Sequence, residues 1–130
     1  ITVGQQRHTP FGFCYRTGIV NGTEGMDHGF KIHLVYNSLA GVSARDHTTV
    51  NETPELEEMS FDFSSTKVPV TGAKPTAHLI IDSTKIAEGD AAKLQTLLDT
   101  LYGKDAVGEN PAIIPSLPSP DAVKAIFAAA

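Results

Sequence analysis

The chain has 130 residues, 41% hydrophobic and 19% charged, enough for one domain with one core and unlike the apolar-poor, charge-rich profile of a disordered chain. Ten Lys+Arg against fifteen Asp+Glu leave a net charge of -5, which argues against a surface that coats nucleic acid, because phosphate binding needs clustered positive charge. No apolar run approaches the ~20 residues of a membrane-spanning helix, and one cysteine, Cys14, excludes an internal disulfide or a cysteine-built zinc site and suits a reducing compartment.

The chain opens on Ile1 without the basic and apolar regions of a signal peptide. Residues 1–10 are polar, end in Thr9-Pro10, and are expected to form an arm or edge segment. Phe11 to Val20 alternates Phe11, Phe13 and Tyr15 with Gly12 and Cys14, a strand pattern. Asn21-Gly22 is a turn dipeptide, and Gly25 and Gly29 predict a connection longer than two residues. Phe30 to Tyr36 is the clearest strand, with Phe30, Ile32, Leu34 and Tyr36 on one face and Lys31, His33, Val35 and Asn37 on the other. Residues 38–55 are small, polar and charged and are expected to form a long loop.

Leu56 to Ser64 alternates again, with Met59, Phe61 and Phe63 opposite Glu58, Ser60, Asp62 and Ser64. Pro69 demotes residues 66–70 to an edge or bulge, and Ala77 to Asp82 is a short strand. Helical periodicity enters late. Asp90 is placed to cap a helix over 91–102, whose Leu94, Leu97, Leu98 and Leu101 share a face, and Gly103 sits at its stop. After a Pro-rich connector, Ser119-Pro120-Asp121 starts a C-terminal helix over 119–128 striped by Val123, Ile126 and Phe127. Strands first and helices last predict a single domain over 1–130. Its class is α+β, mainly β: a β-sandwich or half-barrel with a flanking helix and a short C-terminal helix.

The search for chemistry predicts no enzyme. His8, His28, His33, His47 and His78 show no helical pairing and no HExxH, so a metal site would need them to converge from separate elements, and none is expected. There is no GxSxG elbow, and Cys14 in an aromatic strand reads as a packed thiol rather than a nucleophile. Asp82 and Ser83 read as turn or capping residues. His78 and Asp82 share a strand face but lie roughly 13 Å apart at ~3.3 Å per residue, which counts against a hydrolase or transferase using Asp82 with His78 or His33. The glycines at 18, 22, 25 and 29 match no phosphate-binding pattern, and no catalytic residue or cofactor is assigned.

Two features stand out. One is the acidic, polar strand face Glu58, Ser60, Asp62 and Ser64, which suits a solvated sheet or a wall that repels anions. The other is the loop, in which Arg45, Asp46, His47, Asn51 and Glu52 are candidate contact residues. A small β domain with these features and no active site favours an assembly protein. The competing reading is a ligand- or carbohydrate-binding module, which would need exposed aromatics. The chain has no Trp and 7% aromatics, mostly at positions that look core-facing.

The runs GFKIHLVYNSLA (29–40) and ELEEMSFDFSSTKVPVTGAKPTAHLIIDSTK (55–85), then LQTLLDTLYGKDA (94–106) and LPSPDAVKAIF (117–127), occur in that order. Together they resemble the major tail tube subunits of long, non-contractile-tailed bacteriophages, especially those of actinobacterial hosts. The similarity spans residues 12–127, and the segment Thr66–Val70 departs from the family's Thr-rich pattern. The resemblance implies a virion protein made in the host cytoplasm that assembles with itself, in hexameric rings stacked into a tube. It implies contacts with other tail proteins, DNA as passing cargo rather than bound ligand, and no membrane or cofactor. The acidic face would line the lumen, the loop would join rings or subunits, and Met59, Phe61 and Phe63 would pack against the leucine helix. A tail terminator or baseplate relative fits the same motifs.

Overall fold

The computed structural model describes residues 8–41 and 61–128. Four strands form one antiparallel sheet: β1 (Phe11–Asn21), β2 (Gly25–Gly41), β3 (Asp62–Ser65) and β4 (His78–Asp82). Two helices follow, α1 (Ala91–Tyr102) and α2 (Pro120–Ala128). The class is α+β and mainly β, and among the described residues the strands make one sheet backed by helices.

β2 is the organising strand. β1 pairs along one side of it, from Asn21 opposite Gly25 to Phe11 opposite Ser38. Its other side carries β4, with Lys31 opposite Asp82 and Val35 opposite His78. Farther along, the same side carries β3, with Ser38 opposite Ser65 and Gly41 opposite Asp62. β2 therefore runs through Gly41, so residues 38–41 belong to a strand and not to the expected loop. Gly29, expected in the connection, also lies within β2. It is small because Thr84 Cγ2 would stand 2.5 Å from a Cβ placed there.

The β1–β2 connection is three residues long. The Asn21 Oδ1 accepts from the backbone N–H of Thr23 at 3.0 Å and of Glu24 at 2.6 Å, and Gly25 enters β2 at φ +62°, a conformation that favours glycine. The Asn21-Gly22 signal thus marks a turn held by an asparagine side chain.

The expected core face of β2 is the core. Ile32 and Leu34 are fully enclosed and Tyr36 nearly so, packed with Leu97 and Leu101 of α1 and Val123 of α2. Cys14, Leu79, Ile81, Leu94, Leu98, Ile126 and Phe127 close around them. Burying each large apolar side chain is worth on the order of 1.5–3 kcal/mol, so docking the helices stabilises the sheet. The Tyr36 hydroxyl donates to the Pro118 carbonyl at 3.0 Å and ties β2 to the segment entering α2. Burial pushes its pKa up to about 12.

The helix termini follow the expected chemistry with one exception. Asp90 makes no capping hydrogen bond. It ends a 3-10 turn over Glu88–Asp90, and its carboxylate pairs with Lys93 at 2.9 Å. Gly103 stops α1 at φ +79°, where a Cβ would lie 2.9 Å from the Ile113 carbonyl oxygen. At α2 the Ser119 Oγ accepts from the Ala122 N–H at 3.2 Å. Asp121 accepts from the Thr71 N–H and hydroxyl at 2.9 and 2.8 Å, pinning the 71–75 turn to the helix.

β2 carries an irregularity that decides which side chains meet. Between Phe13 opposite Val35 and Phe11 opposite Ser38, β2 spends three residues where β1 spends two. Asn37 takes φ +48° at this bulge. One extra residue reverses the in–out alternation. Beyond it, Ala40 opposite Phe63 falls on the side away from the helices, where the Phe63 ring meets Phe11 and Phe13. The expectation that Phe61 and Phe63 pack against the leucine helix is therefore corrected. Both are about half exposed, and neither belongs to the core.

Candidate functional site

The helix-free side of the sheet carries a ladder of rings. Residues 11, 13 and 15 alternate onto this side of β1, and His33 stands between the core residues Ile32 and Leu34 on β2. Phe63 packs edge-on to Phe11 at 5.9 Å between centroids and tilted against Phe13 at 5.2 Å. Phe13 stacks on Tyr15 at 6.2 Å. Tyr15 stacks on His33 at 4.4 Å with 1° between the ring planes, and His33 stacks on His78 at 5.2 Å. Six rings from four strands run across the sheet without a break. Phe11, Tyr15 and Phe63 remain 42%, 43% and 48% exposed, so the row is an accessible surface and not a second core.

Hydrogen bonds fix its histidine end. The His33 Nδ1 and His78 Nε2 are 3.1 Å apart, and the His33 Nε2 lies 3.0 Å from the Thr17 hydroxyl. Both His33 nitrogens are thus occupied. Partial desolvation holds its pKa below the ordinary value, and the nearby His78 and Lys31 act in the same direction. The contact between the His33 Nδ1 and the His78 Nε2 requires that one of these two nitrogens carry no proton.

The other sequence candidates fall elsewhere. Asp62 and Ser64 are exposed in β3 on the side opposite the Phe63 ring. Glu58 and Ser60, with Arg45, Asp46, His47, Asn51 and Glu52, lie outside the described residues. Asp82 is a turn residue as expected: its Oδ1 accepts from the Thr84 N–H at 3.1 Å and hydroxyl at 2.7 Å. Those bonds lower its pKa. Its Cα partner is Lys31 and not a histidine. Both edge an open depression of about 490 Å³ that His33 and His78 do not line. His28 is held by Glu24 at 2.6 Å and by Asn21 at 2.8 Å beside the hairpin. Cys14 is a half-buried thiol on the core side.

The ring ladder overturns the expectation that the aromatics are core-facing. Its signal was the Phe11, Phe13, Tyr15 alternation, but period two does not say which side of a strand is covered. Among the described residues, no three His, Cys, Asp or Glu side chains gather as a metal cluster, and no helix is long and apolar enough to cross a membrane. Compared with protein families, curated proteins and solved structures, the chain matches none of them.

Proposed function

We propose that the chain is a structural subunit that assembles with copies of itself, in the manner of the tail tube proteins its motifs resemble. In this reading six copies form a ring and rings stack into a tube in the virion tail. Other tail proteins adjoin it, and DNA passes without being bound. No catalytic step or cofactor is involved.

One observation supports the reading most directly. β1 runs eleven residues and pairs with β2 alone, and no described strand covers its second edge. Native sheets blunt such edges with lysine, proline or short strands, because unpaired N–H and C=O groups recruit another chain. β1 has Pro10 just before it and a single charge, Arg16, whose guanidinium is engaged over the Phe30 ring at 3.8 Å. A long edge that no described strand covers, beside a half-exposed aromatic face, suits sheet-to-sheet joining between subunits. Glu58, Ser60, Asp62 and Ser64 keep the role of an acidic lumen wall, which would not hold phosphates. Arg45, Asp46, His47, Asn51 and Glu52 remain the proposed contacts between rings or subunits.

The test is size exclusion with light scattering, with the fractions viewed by negative-stain electron microscopy. Rings or tubes with a central hole are expected. Tyr15→Asp, which puts a charge on β1, is expected to abolish them. A monomer at every concentration, from a folded sample, overturns the reading.

The ring ladder favours a second reading, a module that binds a ligand through exposed aromatic faces. It predicts that a folded monomer shows saturable shifts of the Phe11, Tyr15 and Phe63 resonances on titration with oligosaccharides.

A further inference from the structure

We propose that His33 and His78 form a two-imidazole site for a divalent transition-metal ion, with Cu²⁺ the tightest ligand. This goes beyond the assembly reading and does not depend on it.

The argument begins with distance. Two imidazole nitrogens bound at neighbouring positions of one metal, with metal–nitrogen bonds of about 2.0–2.1 Å, stand about 2.9–3.4 Å apart, from square-planar to tetrahedral angles. The His33 Nδ1 and His78 Nε2 are 3.1 Å apart. The two nitrogens already occupy the separation that a shared ion demands.

The ligand set is also preorganised. His33 stands in the middle of β2 and His78 opens β4, and the two strands pair directly, with Val35 opposite His78 and His33 opposite Ile80. Neither ligand relies on a loop. The Tyr15 ring lies flat on His33 at 4.4 Å and restricts its rotation. Thr17 supplies the outer partner. When the His33 Nε2 carries the proton and donates it to the Thr17 hydroxyl, 3.0 Å away, the Nδ1 is left as a lone pair facing His78. Metal-bound histidines are oriented in this way by a partner on the far nitrogen. Binding then asks one thing of His78: that its proton sit on Nδ1, so that Nε2 offers a lone pair as well.

The charges around the pair limit what it can hold. Lys31 lies two residues from His33 on the same side of β2, and Asp82, its opposite number on β4, offsets it. Among the described residues no carboxylate joins the two rings. A hard cation such as Mg²⁺ or Ca²⁺, which needs oxygen ligands, is not served. Two neutral imidazoles with water in the remaining positions suit Cu²⁺, Ni²⁺ and Zn²⁺, and among these Cu²⁺ stands highest in affinity for nitrogen sites. His78 is exposed, so water can reach those positions.

The experiment is titration of the full chain with Cu²⁺ and separately with Zn²⁺, followed by calorimetry and by electron paramagnetic resonance for Cu²⁺. The expected result is a site whose spectrum reports two nitrogen ligands, with Cu²⁺ bound more tightly than Zn²⁺. His33→Ala and His78→Gln should each remove that two-nitrogen signal. Thr17→Val should weaken binding about tenfold, the low end for loss of an orienting partner. His28→Ala should leave the site intact, since His28 is committed to Glu24 and Asn21. His78→Gln keeps a polar group beside His33 at an exposed position, and circular dichroism verifies its fold. Equal Cu²⁺ affinity and an unchanged spectrum in His33→Ala and His78→Gln would place the ion elsewhere and overturn the proposal. So would the absence of any two-nitrogen signal in the parent chain.

Discussion

The hydroxyl of Tyr36, at the end of the core face of β2, donates to the carbonyl of Pro118, 82 residues farther along the chain. This bond joins the sheet to the segment that delivers α2. Tyr36→Phe keeps the ring and leaves that carbonyl without its donor. Loss of one such bond is expected to cost about 1 kcal/mol. Urea denaturation should show a lower midpoint with an unchanged slope, because the surface exposed on unfolding stays the same.

Gly12 is where the chain tolerates least bulk on the core side of β1. A Cβ there would meet Leu117 Cδ2 at 2.3 Å and the Val35 carbonyl oxygen at 3.1 Å. Gly12→Ala should destabilise by about 1–3 kcal/mol through overpacking. The nearer obstacle is the tip of a side chain, so trimming it makes room. In a double-mutant cycle, Gly12→Ala with Leu117→Ala should lose less stability than the two single changes summed.

The assignment of sides is open to a direct contrast. Leu97 is fully enclosed at the core, whereas Phe63 is about half exposed on the ring ladder. Leu97→Ala should cost about 2–5 kcal/mol. Phe63→Ala should cost less, because it forfeits partial burial and aromatic pairing worth about 0.5–1.5 kcal/mol. Chemical denaturation of both variants measures the difference, and a larger loss for Phe63→Ala would mean that β3 faces the helices.

Acid should weaken the fold in two stages. The pKa of His33 is held below its ordinary 6.5, chiefly by desolvation. The unfolded chain therefore takes up that proton first as pH falls. The contribution of His33 is whole above about 6.5 and declines below it, until the folded state is protonated as well. Asp121 is held below its ordinary 3.8, chiefly by its hydrogen bond from the Thr71 side chain. Its contribution is whole above that value and is lost as pH falls through the lowered one. Unfolding midpoints followed from pH 7.5 to pH 3 should show both steps. His33→Gln should flatten the first, and Asp121→Asn should reduce the second, to which Glu24, Asp82 and Asp99, each also held below its ordinary value, contribute.

Much of this molecule was legible in local pattern. Ile32, Leu34 and Tyr36 alternate and are buried, the four leucines of α1 face the core, and Gly103, Ser119 and Pro120 punctuate the helices where expected. These succeed because period, capping and glycine chemistry act over a few residues. What local pattern leaves open is which side of the sheet a strand's residues face. The bulge at Asn37 inserts a residue and swaps the two sides of the sheet. The alternation of β3 holds along its own length, but its Phe63 ring meets Phe11 and Phe13 and not the leucines of α1. The ring ladder and the His33–His78 pair share this character. They arise from strands far apart in sequence, and only the pairing register brings them together.

The central position of β2 has a consequence for how the protein opens. β1, β3 and β4 each bond to β2, and no two of them bond to one another. Either flank can peel away and leave the other in place, but β2 cannot detach while any sheet survives. The amides of Ile32 and Leu34 lie between β1 and β4 and beneath α1. They should exchange with solvent deuterium more slowly than the amides of β1 and β3, which open through smaller, more frequent fluctuations.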